Sequence, residues 1–474
     1  MSTRRGVAGR SAAAAGERVL TAVVPVWLDR ADHEAAHRGC HASALLWNRC
    51  VAWLREEWRA GRRPGREDVR RFVTALPAAE RPVHAHTAQA VAYDLWDAVE
   101  TARARRAGGA TGVRLPWREK AYRPLVFTRN FGWRTGPAGG LSLSLGRGRR
   151  RITVPLPVFT DREGVVVDPG RWGEITLCWD GDARMWALHV SYRSSVGTAP
   201  DSPAGRGEER VVTVAVDEGV INPLTLVHRA PDGVHEVTVI NGRSGRSIKR
   251  GRNKAVGRLS SMMSRCRNGS RRHRRLAAAK RKTRSRAKAR LRDFNHQVTA
   301  KAAEVVRAAH DRHQGAAPDG VTVVVRVVVG DVRGIEQRTA RRRRVHRSTR
   351  QQLSQWDRGT HEHQLAYKTG LEVEHISEAY TSQSCPRCGR RRKVRGRWYA
   401  CGECGLRLHR DAVGGVNILT LADNDGTLVP VGPSLAVRVT YLRAQPGWGP
   451  LQRALHSRHQ RARGRAGAGR RGSP

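Results

Sequence analysis

The chain has 474 residues, enough for several domains, and its 88 lysines and arginines outweigh 41 acids to give a formal net charge of +47. A compact protein so unbalanced repels itself unless a polyanion neutralises it, so nucleic acid is the expected partner and binding should weaken steeply with salt. The composition argues against a membrane or secreted protein: no apolar run reaches membrane-spanning length, the opening MSTRRGVAGRSAAAAGERVL lacks a sustained apolar stretch, and eight cysteines form no disulfide-like framework, which fits a reducing cytosol.

In chain order, residues 1–16 read as a disordered leader. RVLTAVVPVWLD, from Arg18, reads as a strand, and the segment after it carries Leu45, Leu46, Val51 and Leu54 at helical spacing until Pro64 and Gly65 end it. A second helix, HTAQAVAYDLWDAVETARARRAG, puts Val91, Leu95 and Val99 on one stripe and gathers arginines at its end, where they suit the helix dipole. The tryptophans here read as core. Between Leu115 and Ser195 the runs LSLSL, RRITVPLPV, GEITLCW and MWALHVSY alternate and are separated by GPAGG and DGDAR, which predicts a small β-barrel spanning 17–197 with a helical insertion at about 30–110. Residues 198–209 read as a linker.

A second domain, 210–422, opens with RVVTVAVDEGVINPLTLV, whose strand-like run leads to Asp217. A carboxylate closing a buried strand is costly unless a cation meets it, although Asp217 also suits the start of a turn. A basic helical insertion at about 245–315 follows, and in RRHRRLAAAKRKTRSRAKARLRD no acid appears before Asp293. Arg271, Arg272, Arg274, Arg275, Lys280, Arg281, Lys282, Arg284, Arg286 and Lys288 therefore repel along the helix, and a phosphate backbone is what relieves them. GVTVVVRVVVGDVRGI reads as another buried strand, ending at Gly330-Asp331, before a basic loop that runs into a helix.

Residues 380–408 hold two knuckles, Cys385-x-x-Cys388 and Cys401-x-x-Cys404, with twelve residues between them, the spacing of a zinc site. Two pairs at that separation argue against a redox couple, and four cysteines leave no open coordination position, so the Zn2+ is structural. Gly389 and Gly405 follow each second cysteine and relieve the turn. The residues between, RRRKVRGRWYA, carry so little apolar mass that the ribbon depends on its metal to fold. Cys40, Cys50, Cys178 and Cys266 lie at no metal-like spacing and read as buried thiols. In HRDAVGGVNILTLAD, Asp411 stands at the start of a helix, where it is equally suited to be an N-cap. Residues 423–474 are rich in Gly, Pro and Arg and read as a disordered basic tail.

An acid on a first strand, another late in the domain and an Asp opening a C-terminal helix are the parts of a two-metal phosphodiester site. VAVDEGVINPLTLV, the basic helical stretch, YTSQSCPRCG, CGECG and HRDAVGGVNIL together resemble the TnpB (OrfB) proteins of insertion sequences, relatives of type V CRISPR effectors. The resemblance spans roughly residues 18–422 and is most specific at YTSQSCPRCG and HRD. It implies an α/β multidomain chain: a wedge-like β-barrel, then a RuvC-like domain of ribonuclease H fold with an inserted zinc ribbon. It also implies RNA-guided, Mg2+-dependent cleavage of DNA in a prokaryotic cytosol or nucleoid, with a guide RNA encoded at the transposon end and double-stranded DNA as partners. The base-pairing RNA reads sequence, by analogy with the RNA-guided logic of Cas9.

Carried over by motif, the first and last acids are Asp217 and Asp411, and the zinc ligands are Cys385, Cys388, Cys401 and Cys404. Two departures stand out. Family members commonly have Glu-Asp where this chain has Gly330-Asp331, so Glu378, at the end of EVEHISEA, is the expected replacement. Asp331 is the alternative, one residue out of register, and Glu372 and Glu374 are weaker ones. The family often has Asn-Ala-Ala where Val413-Gly414-Gly415 stands, a change expected to touch helix packing more than chemistry. A nuclease is the first expectation, an RNA-guided binder with a ruined site the second, and a DNA transposase accessory protein the third.

Overall fold

The computed structural model describes residues 18–109, 112–129, 131–136, 139–161, 165–194, 208–332, 345–394 and 396–444. The expected leader, most of the linker and the end of the tail lie outside these residues. The chain divides between Gly197 and Thr198 into two compact units.

In the first unit, β1 (Arg18–Val26) leads into three helices, α1 (Arg30–Arg59), α2 (Arg66–Ala75) and α3 (Ala85–Ala107). Asp29 caps α1 by accepting the Asp32 amide at 2.7 Å. Leu46, Trp47, Cys50, Val51 and Leu54 of α1 pack against Val69 and Val73 of α2 and Val91, Leu95 and Val99 of α3. Leu45, expected on the same stripe, is exposed, because consecutive helical residues diverge by about 100° and Leu46 takes the inward place. The helix α2 was not expected: only two of its ten residues are buried.

Strands β2 (Leu125–Phe127), β3 (Trp133–Thr135), β4 (Gly140–Leu143), β5 (Ile152–Pro155), β6 (Trp172–Asp180) and β7 (Met185–Ser194) follow. Instead of a closed barrel they pair as a four-stranded sheet, β1-β7-β6-β2, and a three-stranded sheet, β3-β4-β5. Both sheets contribute to one core around Trp172, Leu143, Ile152 and Leu188.

The second unit is built on a six-stranded mixed sheet in the order β12-β11-β8-β9-β10-β15. Its strands are β8 (Glu209–Glu218), β9 (Leu224–Arg229), β10 (His235–Asn241), β11 (Thr322–Asp331), β12 (Val373–Ser377) and β15 (Val437–Arg443). Between β10 and β11 the chain forms two helices, α4 (Arg243–Ser264) and α5 (Arg271–Gly315), and α6 (Arg347–Ser354) and α7 (Arg358–Thr369) precede β12. The ribbon hairpin, β13 (Trp398–Ala400) and β14 (Arg407–His409), runs into α8 (Arg410–Asp423). Val212, Val214 and Val216 of β8 meet Phe294, Val298 and Ala302 of α5. Ala215 lies in a cluster with Val413 and Val416 of α8, so the central strand is buried on both faces and reads as an unbroken apolar run. Arg326 interrupts β11 without breaking it, because its guanidinium donates to the Ala422 carbonyl at 2.9 Å and to Thr213 Oγ1 at 3.1 Å. That carbonyl belongs to the last turn of α8, where a cation is favoured.

The expected disordered tail is corrected by β15, which pairs in parallel with β10 from His235↔Val437 to Asn241↔Arg443. VRVT at the start of β15 alternates apolar and polar residues before Tyr441-Leu442 breaks the period, and the basic composition of the whole tail masks that short pattern.

Candidate active site and metal centre

Three parallel strands bring the acids together. In β8 and β11 Val216 lies opposite Val329, and in β11 and β12 Gly330 lies opposite Ile376 and Asp331 opposite Ser377. The carboxyl ends of the three strands therefore lie side by side, with Asp217, Gly330-Asp331 and Glu378 at one edge of the sheet, the side on which open α/β sheets hold ligands. Helix α8 crosses there, with Asp411 in its first turn.

The electrostatics follow from this crowding. Burial raises the Asp217 carboxyl well above the usual range, and Glu378 and Asp411 push it further while Arg410 opposes them. Asp217 nonetheless keeps a partly accessible face. Burial lifts Glu378 to about 7, and Asp331 adds to the shift. Asp331 is thus felt by Glu378, whereas the acids that act on Asp217 are Glu378 and Asp411. Glu374 lies apart, exposed and 4.0 Å from Arg326, and Glu372 is exposed.

Two glycines make the arrangement possible. A Cβ at Gly330 would lie 2.5 Å from Glu378 Oε2, so the side chain of Glu378 occupies the space that any larger residue at 330 would need. A Cβ at Gly414 would lie 2.7 Å from Asp217 Oδ2. The Gly414 departure therefore bears on the acid itself, contrary to the expectation that it concerns helix packing alone.

Asp411 is held by its neighbours. Asn222, nearly fully buried in the turn after β8, donates from Nδ2 to Asp411 Oδ2 at 2.8 Å. His409 caps α8, its Nδ1 accepting the Asp411 amide at 3.3 Å, so Asp411 is not the N-cap. Neither Asn222 nor His409 was singled out from sequence, and the only local signal for Asn222 is its place before Pro223 in a turn. Glu218, also missed, faces the opposite side of the sheet, where burial first and then the nearby Glu362 lift it to about 9.

A cluster of desolvated, mutually repelling carboxylates is a set of hard oxygen donors whose repulsion a divalent cation would relieve, and it fits Mg2+. In the ribbon, Cys385 Sγ lies 3.5 Å from Cys404 Sγ, and Cys388 Sγ 3.5 Å from Cys401 Sγ. Those spacings fit the edge of a thiolate tetrahedron, about 3.8 Å for Zn–S bonds of about 2.3 Å. The four ligand atoms lie within 4.8 Å of one another, the one group of three or more potential ligands that does so among the described residues. Gly389 and Gly405 have φ of 77° and 68°, as their place in the knuckle turns requires. The ribbon has more apolar content than its sequence suggests, because Tyr399 is fully buried and its hydroxyl donates to the Arg390 carbonyl at 3.1 Å. Asn417 of α8 ties the ribbon to the acid site, donating to the carbonyls of Thr381 and Ser384 at 2.6 and 2.8 Å.

The basic stripe falls on the N-terminal half of α5. Arg271, Arg272, Arg274, Arg275, Lys282, Arg284, Arg286 and Lys288 are exposed, and Lys280 and Arg281 half-buried. Ser270 caps that end, accepting the His273 amide at 3.2 Å, and the C-terminal half of the helix packs on the sheet. No helix among the described residues is long and apolar enough to cross a membrane.

Residues 362–418 match the family described as Cas12f1-like, TNB domain. The match covers the ribbon and the HRD segment, where the resemblance to TnpB proteins and type V CRISPR effectors is most specific. Among solved structures, a Cas12f1–sgRNA–target DNA complex is similar over 85% of this chain and 99% of that chain, at 9% identity and a TM-score of 0.49. CasPhi-2 (Cas12j) bound to crRNA is similar over 87% and 99%, at 11% identity and a TM-score of 0.43. No curated protein matches the chain by sequence.

Proposed function

We propose that the chain is a transposon-associated, RNA-guided DNA endonuclease of RuvC-like type, with Asp217, Glu378 and Asp411 as its metal-binding acids and the four-cysteine ribbon as a structural Zn2+ site. The observation that carries this reading is the exchange at Gly330. The position where TnpB proteins commonly place the second acid is bare, and the Glu378 side chain from the adjacent strand fills the vacated space. An abandoned site would have no need to keep a costly buried carboxylate beside Asp217. Asp217, Glu378 and Asp411 would hold two Mg2+ ions, whose chemistry there would be to activate a water and stabilise the leaving oxygen of a phosphodiester. The protein's own part is to aim the donors: parallel strands set Asp217 and Glu378, Asn222 fixes one oxygen of Asp411, and Gly414 leaves room for Asp217. The bare cationic half of α5 suits the phosphates of a guide RNA paired to one strand of a DNA target, a contact that carries affinity and not sequence.

The test is Mg2+-dependent cleavage of a DNA matched to the RNA that co-purifies with the protein. Glu378→Gln is expected to abolish cutting, Asp331→Asn to leave most of it, and Gly330→Glu combined with Glu378→Ala to restore part of it. Full cutting by Glu378→Gln would sink the assignment. A second reading, a guided DNA binder that does not cut, draws on one observation: the three acids are more loosely grouped than the cysteines. Wild-type protein that binds its matched target at saturating Mg2+ without cutting it would establish that reading.

A further inference from the structure

The first unit contains a cavity of about 200 Å3 between α1, the start of α3 and the turn after β4. One wall is apolar, with Val83, Leu125 and Leu145; the other is basic, with Arg38, Arg149 and Arg150. Arg150 is neutralised locally, its Nε 2.7 Å from Asp32 Oδ1 and its Nη2 3.2 Å from Asp29 Oδ2. Arg38 and Arg149 have no acidic partner among the described residues.

Two further features converge on the same space. His84 and Thr87, the N-cap and first turn of the 23-residue α3, line the cavity, so the positive end of a long helix opens onto it. Ser144, 7% exposed, also lines it and adds a hydroxyl-bearing residue to the polar wall.

We propose that this cavity is a receptor site for a phosphomonoester, the phosphate at the end of a nucleic-acid strand or the free ion. Arg38 and Arg149 supply two uncompensated charges, matching the ~−1.5 to −2 of a phosphomonoester at neutral pH. An internal phosphodiester carries a single charge and needs a groove open at both ends. The volume decides the extent of the ligand: it falls below the ~300 Å3 at which pockets for whole small molecules begin, leaving room for a phosphate and part of its sugar but not for a base. The site belongs to the first unit, and the proposal does not depend on cleavage.

The experiment measures binding of the full-length protein to a short oligoribonucleotide bearing a 5′-phosphate, a 3′-phosphate or only hydroxyl ends, with inorganic phosphate as competitor. One phosphorylated form is expected to bind about tenfold or more tighter than the hydroxyl form, the yield of one or two charge-assisted hydrogen bonds. Arg38→Ala with Arg149→Ala, both exposed and so tolerated by the fold, should erase that difference and leave hydroxyl-end binding unchanged. Ser144→Ala should reduce it in part. If inorganic phosphate competes as well as the phosphorylated strand does, the free ion is the ligand and the site stands. Equal binding of all three strands, or equal losses for all three in the double variant, would overturn it.

Discussion

The ribbon and the acid cluster sit at opposite ends of α8 and β14's shared junction, and they are organised by opposite means. In the ribbon, four ligands between Cys385 and Cys404 are drawn to one point, and glycines with left-handed backbone let two turns close around it. In the acid cluster, carboxylates from β8, from the segment after β12 and from α8 are held together against their own repulsion by the sheet and by helix packing. On the proposed reading the ribbon depends on its ion to fold, whereas the acid site is already assembled and uses folding free energy to keep its charges close. A metal would then be a structural requirement in one place and a relief of stored repulsion in the other.

That contrast can be broken most forcefully by removing the ribbon's metal. Chelation, or Cys385→Ser, should unfold the ribbon while the six-stranded sheet persists, since structural zinc contributes about 10–16 kcal/mol in isolated modules. Hydrogen exchange resolved by segment reads the outcome, and uniform loss of protection across the sheet would contradict it. Next in size, Asp217→Ala should lower Mg2+-dependent cleavage by about a thousandfold or more, the several kcal/mol expected of a metal-binding group, while thermal stability holds or rises because a repelling charge is gone. A fall in melting temperature alongside lost cutting would mean that the carboxylate stabilises the fold.

Acid sharpens the comparison from a different side. His361 of α7 is buried, donates from Nε2 to Asn295 Oδ1 at 3.1 Å, and burial lowers it to about 4 from 6.5. Its neutral form stabilises the fold above about pH 6.5, and that stability is lost as pH falls toward 4, about 3 kcal/mol in all. His361→Gln should flatten the pH dependence of sheet unfolding in that window and leave untouched the acid release of zinc, which follows cysteine protonation. The smallest effect belongs to Asn222→Ala. Losing the hydrogen bond to Asp411 should raise the Mg2+ concentration needed for half-maximal activity about 10–100-fold, and Mn2+ titration of the same variant should show matching weaker binding.

What the sequence made legible divides along the same line. The cysteine spacing is local, so the ribbon could be read from one segment, as could the strand running to Asp217. Glu378 required an inference across strands: the clue was a missing side chain at Gly330, and its meaning depends on the parallel register that places β12 beside β11. Asn222 lies 189 positions from Asp411, and no periodicity links them. Helix α2 carries a short stripe, Val69, Phe72 and Val73 at i, i+3 and i+4, that a ten-residue charged segment makes easy to pass over, and β15 was missed because its brief alternation is diluted within a basic tail.

That last strand bears on how the protein is made. Until residues near 437 emerge from the ribosome, β10 is an open sheet edge with unpaired amides and carbonyls, the kind of edge that recruits strands from other chains. Its closure joins segments 202 positions apart, as in the Arg438–Glu236 ion pair, so the loop-closure cost falls late and slows the final step of folding. A chain truncated just after α8 would keep every acid and every cysteine considered above, yet it should be prone to aggregate during synthesis.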